Sequence, residues 1–172
     1  MKSSVADADA LARQAHEGQT DRIGVPYIEH VRAVAAGLAA FGPDLQMAGL
    51  LHDVIEDTSW TAGRLRAAGV PDRVVALVEQ VTNQPGLSYE EKLRRIAGCR
   101  DAALVKIADN AHNSRPDRVA RLDEAERLRL AAKYRRAREI LWPAVPRQDV
   151  ATILEAVNPA LLRDLPPAGG SR

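Results

Sequence analysis

The sequence predicts an all-α fold, a compact bundle of many helices, and three observations carry the prediction. Apolar residues recur at helical spacing in one segment after another. Turn-forming residues at Gly18, Gly42-Pro43, Gly69, Pro71 and Pro85-Gly86 separate those segments. No stretch shows a convincing apolar–polar alternation of the kind that marks a half-buried strand.

The elements follow in order. Segment 4–17 is Ala-rich and closes at Gly18, a residue suited to a helix C-cap. Pro26 suits the start of a second helix over 27–41, which Phe41-Gly42-Pro43 stops. Leu45, Met47, Ala48, Leu50 and Leu51 form the buried stripe of a helix over about 44–56. Thr58 or Ser59 caps a short helix ending near Gly69, and Pro71 opens another through Val74, Val75, Leu77, Val78 and Val81. Asn83-Gln84-Pro85-Gly86 reads as a loop, after which Ser88 and Glu91 have the spacing of a capping box. Further helices are expected at 88–97, 101–113, 122–141 and 147–156. One domain over 1–158 is expected, with 159–172 as a flexible tail that ends in Pro166-Pro167-Ala168-Gly169-Gly170-Ser171-Arg172.

Composition fits such a unit. A chain of 172 residues is long enough to bury a sizeable core, and aromatics at 3% mean that Leu, Val, Ile and Ala must build it. A net charge of +1 gives no reason to expect nucleic-acid or membrane binding. The single Cys99 excludes an internal disulfide and fits a reducing compartment. No apolar stretch reaches membrane length and no signal-peptide core stands at the N-terminus, so a cytoplasmic location is expected.

The chemistry concentrates in His52-Asp53-Val54-Ile55-Glu56-Asp57. Three carboxylates this close repel one another unless a cation neutralises them. Taken alone, the run also reads as an exposed acidic helix end, so other ligands decide the matter. Of the four histidines, His30 falls in the first turn of the second helix, and Asp109 lies on a helical pattern with Leu104 and Ile107 inward. His30, His52, Asp53 and Asp109 make a mixed nitrogen and oxygen donor set suited to manganese, iron or zinc, without the thiolates of a structural zinc site. Asn113 shares a helix face with Asp109, so one can hold a metal while the other meets a ligand. Glu56 and Asp57 stand one turn beyond His52 and Asp53, within reach of a bound water, to orient or deprotonate it or to protonate a leaving oxygen.

A phosphate-rich ligand needs cations. Lys106, Arg115, Arg118 and Arg121 surround the Asp109 cluster, and Lys133, Arg135, Arg136 and Arg138 mark the next long helix. Most such side chains in a protein with 24 Lys and Arg simply solvate the surface, and Lys106 and Arg115 are the favoured exceptions. Tyr134 reads as a contact for a base or as a half-buried anchor. His112 is expected behind the metal ligands rather than among them, and His16 in a hydrogen-bonded structural role.

Three separated patterns in register resemble a known family: H-D-x-x-E-D at 52–57, A-H-x-G-Q with G-x-P-Y-I-x-H at 15–19 and 24–30, and K-x-A-D-x-x-H-N at 106–113. They look like the hydrolase domain of RelA/SpoT proteins, within the HD phosphohydrolase superfamily. The likeness runs from about Ala10 to Trp142, and the size matches the small alarmone hydrolases. The resemblance implies an HD-domain helical bundle that removes the 3′-pyrophosphate of guanosine tetra- or pentaphosphate, giving GDP or GTP and pyrophosphate. It implies manganese as the ion and Glu56 and Asp57 as the catalytic pair, with Arg22, Lys106, Asn113, Arg115 and Tyr134 as substrate contacts.

Several recognition positions depart from the family pattern. Long members read R-K-S-G where this chain has Asp21-Arg22-Ile23-Gly24: Arg22 keeps one cation, Asp21 reverses a charge, and Ile23 loses a hydroxyl. Asn110 and Pro116 replace a family cation and a family hydroxyl. Two alternatives therefore stand beside alarmone hydrolysis. One is an HD phosphohydrolase acting on another nucleotide or on a phosphorylated dinucleotide cofactor. The other is a non-catalytic alarmone-binding module, against which the intact Glu56 and Asp57 count.

Overall fold

Helix α8 (Arg100–Asn113) runs through the middle of the molecule and is buried along most of its length. Ala102 to Val105 and Ile107 to His112 are all buried, the signature of a helix covered on every side. Around it pack α2 (Tyr27–Gly37), α3 (Pro43–Leu51), α6 (Asp72–Val81), α7 (Tyr89–Ala97), α10 (Glu124–Leu141) and α11 (Arg147–Val157). The remaining helices are α1 (Val5–Ala15), which packs on α3, and the short α4 (Val54–Asp57), α5 (Ala62–Ala67) and α9 (Pro116–Val119). This computed structural model describes residues 3–167. Among them there are helices and 3-10 turns, one isolated bridge between Thr20 and Pro26, and no helix long and apolar enough to cross a membrane. The fold is all-α.

Local signals explain most boundaries. Ser4 and Asp7 form a capping box on α1, and Ser88 and Glu91 form the expected one on α7. Gly42 takes φ 97°, a conformation that an L side chain rarely adopts, and separates the 3-10 turn Ala39–Phe41 from α3.

Several boundaries differ from expectation. The segment 27–41 divides at Leu38, and α1 stops at Ala15, short of Gly18. The helix expected over 44–56 breaks at His52–Asp53, where Asp53 adopts φ −102° and ψ −3° and the ladder restarts as α4. Thr61 rather than Thr58 or Ser59 caps α5, because the Thr58 hydroxyl closes the α4 turn by donating to the Val54 carbonyl. Pro116 opens an unanticipated short helix, α9, and Asp123 then caps α10.

The packed body extends further than expected. Asn158 is buried and donates to the Ala111 carbonyl at 2.9 Å, which ties the end of α11 to α8. A 3-10 helix over Pro159–Asp164 follows, burying Leu161 and Leu165, so the packed body continues past 158. Of the expected flexible tail, residues 168–172 lie outside the described residues.

Candidate metal centre and its cavity

Three elements converge on one point. The first turn of α2 delivers His30, the break after α3 delivers His52 and Asp53, and the middle of α8 delivers Asp109. Donor atoms of His30, His52 and Asp109 lie within 4.8 Å of one another, close enough to hold a metal ion together. Asp53 joins them, its Oδ2 2.9 Å from His52 Nε2 and 3.6 Å from His30 Nε2.

The donor arrangement fits a cation. His52 Nδ1 lies 2.8 Å from the Gly49 carbonyl, which only accepts, so Nδ1 donates there and Nε2 is the ring nitrogen turned toward the carboxylates. That Nε2 is buried and has no hydrogen-bond partner. It faces the Asp53 and Asp109 carboxylates at 2.9 and 3.9 Å, an array of acceptors that a divalent ion would satisfy. The donor set of imidazole and carboxylate suits such an ion.

The surrounding groups hold these four in place. His30 Nδ1 lies 2.7 Å from His112 Nδ1. Burial, then the neighbouring His30, Arg118 and Arg115 charges, push the His112 pKa down to about 3, so its neutral Nδ1 accepts the His30 proton and leaves His30 Nε2 facing the carboxylates. Burial acting alone would lower the His30 pKa, but the Asp109 and Asp53 carboxylates outweigh it and hold it at about 9. Asp109 is buried at a cost, which the Lys106 charge, with Nζ at 2.5 Å, and the His30 ring more than offset, leaving its pKa far below the usual carboxylate range; the Asn113 amide also donates to it at 2.6 Å. The Tyr27 hydroxyl donates to Asp53 at 2.7 Å and reaches Asp57 at 3.1 Å.

His30, Asp53 and Asp109 floor a cavity of about 390 Å³, within the range of small-molecule sites, and His52 lies behind them. Glu56 and Asp57 both line it. Burial, then the Asp53 charge, raises the Asp57 pKa, with Glu56 adding and Tyr27 opposing. Glu56 accepts from the Asn83 backbone N–H at 2.9 Å and from the Asn83 side-chain amide. Lys92, Lys106, Lys133, Arg22 and Arg118 supply positive charge around the walls, with Tyr134 and Asn113 among them. Burial lifts the Tyr134 phenol to about 12, so it stays a neutral hydroxyl.

Not every expected contact arrives. Arg22 borders the cavity, but it is exposed and pairs with Glu126 at 2.6 Å. Arg115 is absent from this cavity: Pro116 turns the chain into α9, and the guanidinium folds onto Asp117 through two 3.0 Å bonds, beside a separate hollow with Arg121. Asp21 is half-buried, receives the Ile23 and Val25 N–H groups, and pairs with Arg118 at 2.7 Å. Asn110 donates to the Tyr134 carbonyl and so ties α8 to α10. His16 bonds Gln19 and packs against the Tyr27 ring, a structural position.

Tyr27, Asn83 and Lys92 escaped the sequence reading. Lys92 carried a legible signal, a charged residue beside Leu93 and Ile96 on the buried face of α7.

Comparison with known proteins places this geometry. A family model described as the HD domain matches residues 8–141. A GTP pyrophosphokinase of Streptomyces coelicolor is 34% identical over 154 residues, covering 83% of this chain and 18% of that protein. The bifunctional (p)ppGpp synthase/hydrolase SpoT of Escherichia coli is 38% identical over 131 residues, covering 69% and 18%. A guanosine-3′,5′-bis(diphosphate) 3′-pyrophosphohydrolase of Haemophilus influenzae is 37% identical over 131 residues, covering 69% and 19%. The chain thus spans about a fifth of the length of these relatives. The solved structure of a metazoan orthologue of SpoT that hydrolyses ppGpp and plays a role in starvation responses shares the fold. Its TM-score is 0.66 at 23% identity, over 88% of this chain and 93% of that one. With the histidines and aspartates of its site within the matched span, the chain belongs to the HD-domain family.

Proposed function

We propose that the chain is a divalent-metal-dependent phosphohydrolase that removes the 3′-pyrophosphate of guanosine tetra- or pentaphosphate, giving GDP or GTP and pyrophosphate, with Mn²⁺ as its ion. The observation that carries this reading is the buried, partnerless His52 Nε2 beside Asp53 and Asp109, which with His30 line a cavity of small-molecule size. The names of the Haemophilus and Escherichia relatives support the substrate.

His30, His52, Asp53 and Asp109 would hold the ion. A divalent ion bound there supplies Lewis acidity to a phosphoryl oxygen and acidity to a bound water. The chain's own groups do the rest. Glu56, fixed at both oxygens by Asn83, keeps a free lone pair on each to orient and deprotonate the attacking water. Asp57, with its raised pKa, returns a proton to the leaving oxygen. Lys106 and Lys133 meet phosphate charge, Asn113 and Tyr134 meet the nucleoside, and Arg22 serves at the rim. The ligand is thus a small nucleotide rather than a nucleic acid, handled in the cytoplasm.

One observation favours a second reading, hydrolysis of another phosphorylated nucleotide or dinucleotide cofactor. Asp21 stands where family members carry a substrate-facing cation, and its pairing consumes the Arg118 charge as well. Purified protein with Mn²⁺ should release pyrophosphate from guanosine tetraphosphate. If a nucleotide panel finds turnover of a different substrate and none of this one, the second reading replaces the first. Calorimetric binding without hydrolysis under any metal would leave only the binding module.

A further inference from the structure

A buried lysine borders the cavity without meeting any of the four metal-binding side chains. Lys92 lies on α7 with only 5% of its surface exposed. Burial pushes its pKa down and Lys106 adds to this, while the charge of Glu56 opposes both. Long side chains ordinarily reach water. Lys92 instead donates to the Asn83 side-chain oxygen and stops 3.7 Å from Glu56 Oε2. Asn83 in turn gives Glu56 both its backbone N–H and its side-chain amide.

The chemistry of the two ends fixes the amide between them. An ammonium only donates, so the Asn83 atom facing Lys92 must be the oxygen. A carboxylate only accepts, so the atom facing Glu56 must be the nitrogen. Only one of the two amide orientations satisfies both neighbours. Arg95, one turn along α7, holds the chain just before Asn83 by donating to the Gln80 carbonyl at 2.6 Å. Thr82 ends α6 there with its hydroxyl on the Val78 carbonyl. The loop from 83 to 87 is thereby anchored to α7 at its start, and its first residue presents two parallel donors to one carboxylate.

We propose that Lys92 is a positioning residue for Glu56, acting through Asn83 to hold the carboxylate plane that faces the attacking water. The proposal rests on the hydrolase reading of Glu56. Without Lys92, the amide is free to turn its oxygen toward the carboxylate, which would break one bond of the clamp and repel Glu56.

The test uses the whole chain loaded with Mn²⁺ and follows pyrophosphate release from guanosine tetraphosphate. Lys92→Met keeps the volume and removes the donor, and kcat should fall on the order of 10- to 100-fold. KM and bound Mn²⁺ should stay within about twofold of the parent, because the ammonium is engaged by Asn83 and meets none of the four metal-binding side chains. Lys92→Gln retains an N–H donor and should recover most of the loss. Asn83→Ala should cost as much as Lys92→Met, and the double variant no more than either. Unchanged kcat, a raised KM at full kcat, or additive losses would overturn the relay, the second by making Lys92 a direct phosphate contact.

Hydrogen exchange over 82–88 gives a readout independent of turnover. Lys92→Met and Glu56→Ala should both speed exchange of the Asn83 N–H, and unaltered exchange in both overturns the clamp. If the parent does not hydrolyse the nucleotide, the function reading falls while the exchange result still decides the relay. If Glu56→Gln remains active, the role of Glu56 falls in the same separable way.

Discussion

His52 is held through Nδ1 by the Gly49 carbonyl, while Nε2 faces two carboxylates. His30 is held through Nδ1 by His112. Ligand and support therefore predict different losses. His52→Ala or Asp53→Ala should abolish Mn²⁺ content in the purified protein, and Glu56→Ala should leave it intact; loss of the ion from Glu56→Ala would refute the division between ligands and water-handling pair. His112→Phe should weaken Mn²⁺ about 10- to 100-fold, the usual cost of removing the group behind a ligating histidine, as titration calorimetry would show. Asp21 gives a pH prediction. Burial would raise its pKa, but the Val25 N–H, Arg118 and the Ile23 N–H together lower it, so its stabilisation is present above the ordinary carboxylate range and lost as pH falls through the lowered value. Asp21→Asn should cost about 1–3 kcal/mol near neutrality, with Tm falling less steeply below pH 5 than in the parent. The convergence of His30, His52, Asp53 and Asp109 was legible because each sits in a short pattern with fixed helical spacing. Tyr27 with Asp57 and Lys92 with Asn83 were not, because those contacts join segments that only tertiary packing brings together.

At the scale of elements, the angle between α2 and α3 decides where His30 and His52 meet. Gly49 makes their close approach feasible: a Cβ there would lie 2.8 Å from Leu38 Cδ1 and 3.0 and 3.1 Å from the Ala35 Cα and N. The Leu38 methyl can swing away, whereas the α2 backbone cannot. In a helix interior Ala gains roughly 0.5–1 kcal/mol over Gly. Overpacking costs about 1–3 kcal/mol, so Gly49→Ala should destabilise the protein on balance. Because the Gly49 carbonyl also holds His52, the same change should weaken Mn²⁺ binding; a rise in Tm with unaltered metal affinity would refute this account. The order of helices followed from apolar spacing and turn residues, and α7 began where its capping box placed it. The break at His52–Asp53 was invisible because His and Asp are unremarkable within a helix, and what stops the ladder is the packing of two side chains inward against α2 and α8. Pro116 was noticed for the hydroxyl it lacks and not as the first residue of α9.

The whole molecule concentrates buried polar groups where its helices meet. His30, His52, Asp109, Asn110 and His112 are all buried around the end of α8, in a body otherwise filled by Ala, Val, Leu and Ile. An apolar core of that kind stabilises without help, whereas burying the Asp53 and Asp109 carboxylates at the metal centre carries a desolvation cost. An ion that binds only the folded form offsets this cost and adds its own binding energy to stability. At a free concentration 100 times its Kd, the gain is about 2.7 kcal/mol. For a domain of this size, each kcal/mol moves Tm by roughly 2–4 °C, so saturating Mn²⁺ should raise Tm by about 5–10 °C. Mg²⁺, which prefers all-oxygen octahedra, should give a smaller shift than Mn²⁺ at equal concentration. In His52→Ala the Mn²⁺ shift should disappear, and the metal-free Tm should fall as well, since the buried ring fills space and holds the Gly49 carbonyl. A parent whose Tm ignores Mn²⁺, or a His52→Ala variant that keeps the full shift, would show that the ion is held elsewhere.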